Sequence, residues 1–115
     1  MYLIRQDDGE ITIDDFTAII NDLQDAKNLK TKDVFLDSAE ADYFYENDQT
    51  MIRLDKKQRL IEITGLGKAS IRAVCEIQKR FAHPLRLFDM DYTFDINLDK
   101  AIDFEELKNK MDVEL

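Results

Sequence analysis

Residues 42–64, DYFYENDQTMIRLDKKQRLIEIT, decide the fold, because short β-prone runs alternate there with turn-forming residues. The groups Asn47-Asp48-Gln49 and Asp55-Lys56-Lys57-Gln58 are typical of hairpin connections. This pattern predicts an antiparallel meander over 42–64. A further β-prone run, Val34-Phe35-Leu36, precedes it and predicts a strand of its own.

Helices are predicted on both sides of this meander. Residues 13–29 form the first, because their apolar residues recur at helical spacing, at Phe16, Ile19, Ile20, Leu23 and Ala26. Thr12, with Asp15 three positions later, resembles a capping box at its start. A second helix is predicted over 68–82, after Gly65-Leu66-Gly67. Its apolar face is Ile71, Val74, Cys75, Gln78 and Phe81, and its outward residues are Lys68, Arg72, Lys79 and Arg80.

The two ends of the chain complete the plan. Tyr2-Leu3-Ile4 predicts an edge strand, and residues 85–88 predict a core strand. Tyr92, Phe94, Ile96 and Leu98 alternate with acids and predict a further strand with the apolar side chains inward. Asp103 is a suitable N-cap for a short helix over 104–111. The element order is roughly β-α-β-β-β-α-β-β-α.

This order predicts one α+β domain spanning 1–115. Its antiparallel sheet has about four to six strands, with two main helices packed on one face and a short C-terminal helix. We expect a ferredoxin-like or related sandwich. The chain shows no signal peptide and no apolar run approaching the roughly 20 residues of a membrane span. With one cysteine, Cys75, a reduced cytoplasmic setting is expected.

Charge is segregated along the chain, whose formal net charge is −9. Residues 1–49 carry 13 acids and 4 bases, residues 50–88 carry 3 acids and 9 bases, and residues 89–115 carry 9 acids and 3 bases. The order is therefore acid, base, acid. If the two acidic regions met in space, they would form one directional patch suited to a basic partner. If they did not, the net charge would serve mainly solubility, and an inhibitor function would lose its best physical support.

The sharpest local motif is Asp89-x-Asp91-x-Thr93 after a hydrophobic strand, which resembles the first motif of haloacid-dehalogenase phosphatases. In that resemblance Asp89 is the nucleophile and Asp91 the acid/base. The chemistry also needs Mg²⁺, a downstream lysine and a downstream acidic motif, and only 22 residues follow Thr93. The hypothesis that the chain is a phosphatase is therefore rejected.

Two other patterns suggest ligands. The acidic series from Asp89 to Asp99 lacks the glycine that an EF-hand loop needs, so alternation along a strand explains it better than Ca²⁺ binding. Gly65-Leu66-Gly67-Lys68 lies where a phosphate loop would lie, but the first glycine is too close to Lys68 for a P-loop. Turn chemistry accounts for both glycines. No metal, cofactor or catalytic set is expected, since Cys75 and His83 have no metal-type neighbours.

In size, acidity and α+β order, without a catalytic set, the chain resembles the immunity proteins of bacterial contact-dependent growth inhibition and related polymorphic toxin systems. The resemblance covers the whole chain and rests on no diagnostic motif. It implies a cytoplasmic inhibitor, not an enzyme, that blocks a cognate and basic toxin domain such as a nuclease. The candidate contacts, taken from charge and exposed aromatics, are Asp14, Asp22, Asp25, Tyr43, Tyr45, Asp91, Asp95 and Asp99.

Two other classes stay open. A small-molecule-sensing or assembly domain would place a ligand beside Gly65 and Gly67. A DNA mimic would have to hide the basic segment 50–88 from its acidic face. Direct nucleic-acid binding is not expected, because that segment would act against the acids on either side.

Overall fold

The computed structural model describes residues 1–32, 38–55 and 59–113. Its strands are β1 (Tyr2–Arg5), β2 (Ala26–Lys32), β3 (Ser38–Tyr45), β4 (Asp48–Asp55), β5 (Leu60–Ile63), β6 (Leu85–Phe88) and β7 (Asp95–Asn97). Its helices are α1 (Ile13–Asp22), α2 (Lys68–Arg80) and α3 (Phe104–Met111). The predicted strand at Val34-Phe35-Leu36 and the predicted connection at 56–58 lie outside the described residues.

The strands form one sheet in the order β2-β3-β4-β5-β1-β6-β7, with every neighbouring pair antiparallel. The α+β class is therefore confirmed, while the sheet has seven strands rather than four to six. Four strands in succession separate α1 from α2. The ferredoxin-like unit has two at that point, so the connectivity differs from it.

The predicted meander over 42–64 is confirmed as β3, β4 and β5, which pair in sequence order. Its first turn consists of Glu46 and Asn47, one position earlier than predicted, and their φ angles are 45° and 61°. Positive φ at both central residues is typical of the tight turns that match strand twist. Asp48 consequently begins β4 rather than occupying the turn.

The prediction that 2–4 form an edge strand is wrong. β1 lies between β5 and β6, and Leu3 pairs with both Ile61 and Leu87. Leu3 is completely buried, because it lies in the middle of the helix-covered face. A four-residue strand carries too little pattern to show whether it has one neighbour or two.

The first helix is shorter than predicted. α1 ends at Asp22, and residues 26–32 form the edge strand β2 instead of the last turns of a helix. Thr12 caps the helix as expected, accepting the amide of Asp15 at 3.0 Å. The C-terminal end carries no base in its last turn, and the acid Asp22 opposes the helix dipole there. Pairing with β3 supplies the backbone hydrogen bonds that further helical turns would have made.

One face of the sheet and the helices enclose the core. Matched positions across six strands form a buried row, which consists of Ala39, Leu54, Ile61, Leu3, Leu87 and Ile96. α1 packs on β2 and β3, α2 packs on β3, β4 and β5, and α3 packs on α2. The opposite face, here called the open face, has no buried strand residue in the described ranges.

The last third of the chain follows the prediction in part. β6 and α3 form where expected, and Asp103 caps α3 by accepting the amide of Glu106 at 2.8 Å. β7 is only three residues long, and Ile96 points into the core. The prediction for Tyr92 is wrong, because it lies in the preceding turn with a φ of 52° and its side chain is 64% exposed.

Candidate functional site

Half of the predicted contact residues converge on one part of the molecule. Asp22 and Asp25 flank the end of α1, and the backbone of Asp25 accepts the amide of Phe44 on β3 at 3.0 Å. This bond places Asp25 beside Tyr43 and Tyr45. A cleft of about 350 Å³ is lined here by Asp22, Asp25, Tyr43, Arg72, Glu76 and Arg80, among others.

The remaining acids lie elsewhere, so the two acidic regions do not form one patch. Asp25 directly precedes β2, whereas Asp95 begins β7, and these strands are the opposite edges of the sheet. Six interstrand steps of roughly 4.8 Å separate them by about 29 Å. Asp91 and Asp99 belong to the turns before and after β7, and Asp14 lies in the first turn of α1. Net charge alone could not have revealed this separation.

The two tyrosines have different roles from the predicted pair of exposed contacts. Tyr43 is only 2% exposed, so it is not available as a contact residue. Burial is the main reason that its pKa is raised to about 12, and the negative charge of Glu76 adds to this. Tyr45 is half-buried, packing against Phe104 with Arg72 over its ring. Only Tyr45 could still contact a partner directly.

The cleft contains a buried carboxylate, Glu76 of α2, which the sequence interpretation did not single out. Arg72 binds it at 2.8 Å, Arg80 at 2.5 Å and Lys79 at 3.5 Å. Burial by itself raises the pKa of Glu76. The hydrogen bond from Arg80 and the surrounding positive charges outweigh that effect, so the pKa lies below its usual value. Arg80 also binds Asp22 at 2.7 Å and so joins α2 to α1.

The basic segment is neutralised within the fold. Residues 50–88 contribute seven described bases, and six of these form ion pairs within 4.0 Å, namely Arg53, Lys68, Arg72, Lys79, Arg80 and Arg86. Three of the six share Glu76. The remaining one, Arg59, is exposed. The acid–base–acid order of the sequence therefore does not become three separate charged surfaces.

Exposed acids border this cleft and are interleaved with Lys68, Arg72 and Arg80. We call Asp22, Asp25, Glu46 and Asp48 the acidic end, since they surround the junction of α1 with the β3–β4 hairpin. Asp22 is 71% and Glu46 is 60% exposed at the side chain. Within the described ranges, no basic side chain lies within 4.0 Å of the Asp25 carboxylate. Asp22, in the last turn of α1, opposes the helix dipole, and its ion pair with Arg80 offsets this.

Asp48 accounts for the two glycines in the turn before α2, and it occupies the place where a phosphate loop would bind its anion. Its carboxylate accepts the Ala69 amide at 2.9 Å and so occupies the N-terminus of α2, where an anion would bind. This bond helps to hold the pKa of Asp48 below its usual value. A Cβ on Gly67 would lie 2.5 Å from the carboxylate, and Gly65 has a φ of +77°. Both glycines are therefore needed by the turn.

We expect Asp48→Ala to lower the free energy of unfolding by about 1 kcal/mol, the typical loss for a helix cap. Gly67→Ala should cost a similar amount, because the new methyl group displaces the same carboxylate. The double variant should be little worse than Asp48→Ala alone, since no carboxylate remains to be displaced. Urea unfolding of the three variants checks this. Additive losses would show that Gly67 acts independently of Asp48.

The Asp89-x-Asp91-x-Thr93 motif builds a turn. The Asp89 carboxylate accepts the Thr93 amide at 2.7 Å and the Thr93 hydroxyl, and the hydroxyl bond is the main reason that the pKa of Asp89 lies below its usual value. Both carboxylate oxygens are thus used within the turn. This arrangement presents Met90 and Tyr92 outward, with exposed fractions of 74% and 64%.

Among residues 1–32, 38–55 and 59–113, no group of three or more His, Cys, Asp and Glu side chains is arranged to hold a metal ion. Cys75 is buried in α2, and this burial raises the pKa of its thiol to about 12. His83 is exposed and packs against the edge of Phe81. No helix in these ranges is both long and apolar enough to cross a membrane.

No family model, curated protein or solved structure matches the chain.

Proposed function

We propose that the protein is an acidic inhibitor of the immunity-protein type, which binds a cognate basic toxin domain through the acidic end. The observation that carries this proposal is the pairing of six of the seven described bases in 50–88 within the fold. Two of these pairs, Arg80 with Asp22 and Lys68 with Glu46, involve acids of the acidic end, so among the described residues Asp25 and Asp48 are the acids there that a basic partner meets without an ion pair.

The position of the acidic end supports a contact role. Asp25 and Glu46 line a groove beside the half-buried Tyr45, so exposed carboxylates border an aromatic ring. Such a surface steers a basic partner by long-range attraction and offers charge pairs at the contact. Relative to the sequence interpretation, the proposed contact set loses Tyr43 and gains Glu46 and Asp48. Asp14, Asp91, Asp95 and Asp99 lie outside it.

The sensor alternative is not favoured by the turn at Gly65 and Gly67. Asp48 fills the place beside α2 that an anionic ligand would take. A sensor would therefore need another pocket. The DNA-mimic alternative gains from the internal pairing of the bases, but the exposed acids are divided between opposite sheet edges rather than aligned along one groove.

Capture from the native host tests the proposal. The chain, carrying a C-terminal tag, is expressed in that host and recovered at low and at high salt, and the co-purifying proteins are identified by mass spectrometry. We expect one stoichiometric basic protein, recovered better at low salt because screening weakens the charge pairs. A thermal shift with metabolites and no bound protein would instead support a sensor and contradict the inhibitor.

A further inference from the structure

The open face carries an aromatic row at its centre. Tyr2 of β1 and Phe88 of β6 are neighbours, with ring centroids 5.6 Å apart. Tyr92 stacks on Phe88, also at 5.6 Å and with the ring planes within 10° of parallel. A groove of about 460 Å³ runs beside the row and is lined by Tyr2, Leu60, Phe88 and Met90, among others. In the described part of the chain, no helix packs on these residues.

The turn that carries Tyr92 is held in an unfavourable backbone conformation. A bulky residue with a φ of 52° is uncommon, and such positions persist only where their surroundings hold them. Here the Asp89–Thr93 bonds close the turn from the inside. The closed turn holds Tyr92 and Met90 at the open face, where 64% and 74% of their surfaces are exposed.

A positive and a negative side chain lie on opposite sides of the aromatic row, an order that is complementary to itself under a two-fold rotation. Strand register aligns Arg53, Glu62, Tyr2, Phe88 and Asp95 in one row across β4, β5, β1, β6 and β7. Arg53 thus lies two strands to one side of Tyr2, and Asp95 lies two strands to the other. At roughly 4.8 Å per strand, both are about 10 Å from the centre.

We propose that the open face binds the open face of a second copy of the chain. The two copies are related by a two-fold axis that is parallel to β1 and lies midway between the two sheets. This axis places Tyr2 opposite Tyr2 of the other copy. It also places Arg53 of each copy opposite Asp95 of the other. Sheets that pack face to face lie about 10 Å apart with nearly aligned strands, a geometry that this axis produces. The inference is independent of the proposed inhibitor function.

The same axis brings no like charges together in this row. Glu62 meets Phe88 of the other copy, and it already binds its own Arg53 at 2.6 Å. Asp95 already binds its own Arg86 through two hydrogen bonds of 2.6 and 2.5 Å, so Arg53 of the other copy would join an existing ion pair rather than replace it. The contact spans only five short strands, so we expect a weak dimer. The acidic end stays free on each copy.

Charge exchange tests the proposal by sedimentation equilibrium over a concentration series at 0.15 M salt. Arg53→Glu and Asp95→Arg should each raise the dimer Kd at least tenfold, because each places like charges opposite one another. The double variant should return to within about threefold of the original Kd, since the pair re-forms in reverse. Intramolecular pairing cannot explain that recovery, because Glu at 53 still faces Glu62 and Arg at 95 still faces Arg86. Glu105→Arg, on α3, is the matched control and should change nothing.

Tyr92→Gly separates association from folding. Glycine relieves the positive φ but loses the stacking on Phe88, so the melting temperature of the monomer should fall only slightly, while loss of the ring should weaken the dimer about tenfold. A wild-type chain that remains monomeric up to millimolar concentration would overturn the proposal. So would a double charge variant that associates no better than either single variant.

Discussion

Glu76→Ala should lower the free energy of unfolding by about 3 kcal/mol, the lower end of the range for breaking a buried ion pair. The carboxylate is only 9% exposed and binds three bases. Its removal leaves Arg72 and Arg80 close together without their shared anion. Because the bases themselves are 27–57% exposed and can turn toward water, a larger loss is not expected. Urea unfolding at pH 7 measures this.

The matched control is Glu105→Ala. Glu105 is 71% exposed and lies 3.8 Å from Lys108, so its removal should cost less than about 0.5 kcal/mol. Equal losses in the two variants would contradict the assignment of Glu76 as the buried anion that pairs the bases of α2.

Acid provides a second test of Glu76. Its pKa in the folded state lies below the ordinary value of 4.5, so its contribution is present above that value and is lost as the pH falls through the folded-state pKa. Glu76→Gln should therefore be less stable than the wild type at pH 7. The difference between them should shrink as the pH falls below 4.5 and should close only below the folded-state pKa. A difference that does not change with pH would show that charge is not the cause.

Gln78→Leu should cost about 2 to 3 kcal/mol, the desolvation penalty of the backbone groups that it leaves unpaired. Gln78 is completely buried on the apolar face of α2. It accepts the Leu85 amide at 2.7 Å and donates to the His83 carbonyl at 3.1 Å, so it fastens the end of α2 to the start of β6. Leucine has a similar size and makes neither bond.

Amide hydrogen exchange gives a local readout of the same change. The Leu85 amide should lose more protection than the amides of β4, which make no hydrogen bond with Gln78. Gln24→Leu, at an exposed glutamine, is the control and should change stability by less than about 0.5 kcal/mol. Unaltered protection at Leu85 would show that Gln78 does not join the two elements.

The sequence predicted those parts of the fold in which local patterns agree. In 42–64 the β-prone runs and the turn residues indicate the same meander, and the capping residues Thr12 and Asp103 mark two helix starts correctly. At 26–32 the patterns disagreed, because Ala26 continued the helical spacing while the residues after it pair with β3. Strand order and the central position of β1 depend on long-range pairing, which local pattern does not encode.

The candidate site was predictable to a smaller extent. Charge and aromatic content identified Asp22, Asp25 and Tyr45, but they also identified acids at the opposite edge of the sheet. Glu76 had a local signal that was missed, namely Arg72 and Arg80 four residues to either side on one helix. Asp48 had none, since its bond to Ala69 spans 21 residues. Tertiary structure therefore determines which acids lie close together.

The central claim is that a basic partner recognises the acidic end and not net charge alone. Titration calorimetry of the captured partner tests it with two variants that change the charge equally, Asp25→Lys/Glu46→Lys and Asp14→Lys/Asp91→Lys. The first changes two exposed carboxylates of the acidic end and should weaken binding at least tenfold. The second changes two exposed acids far from it and should weaken binding less than threefold. Equal losses, or a larger loss in the second variant, would contradict the claim.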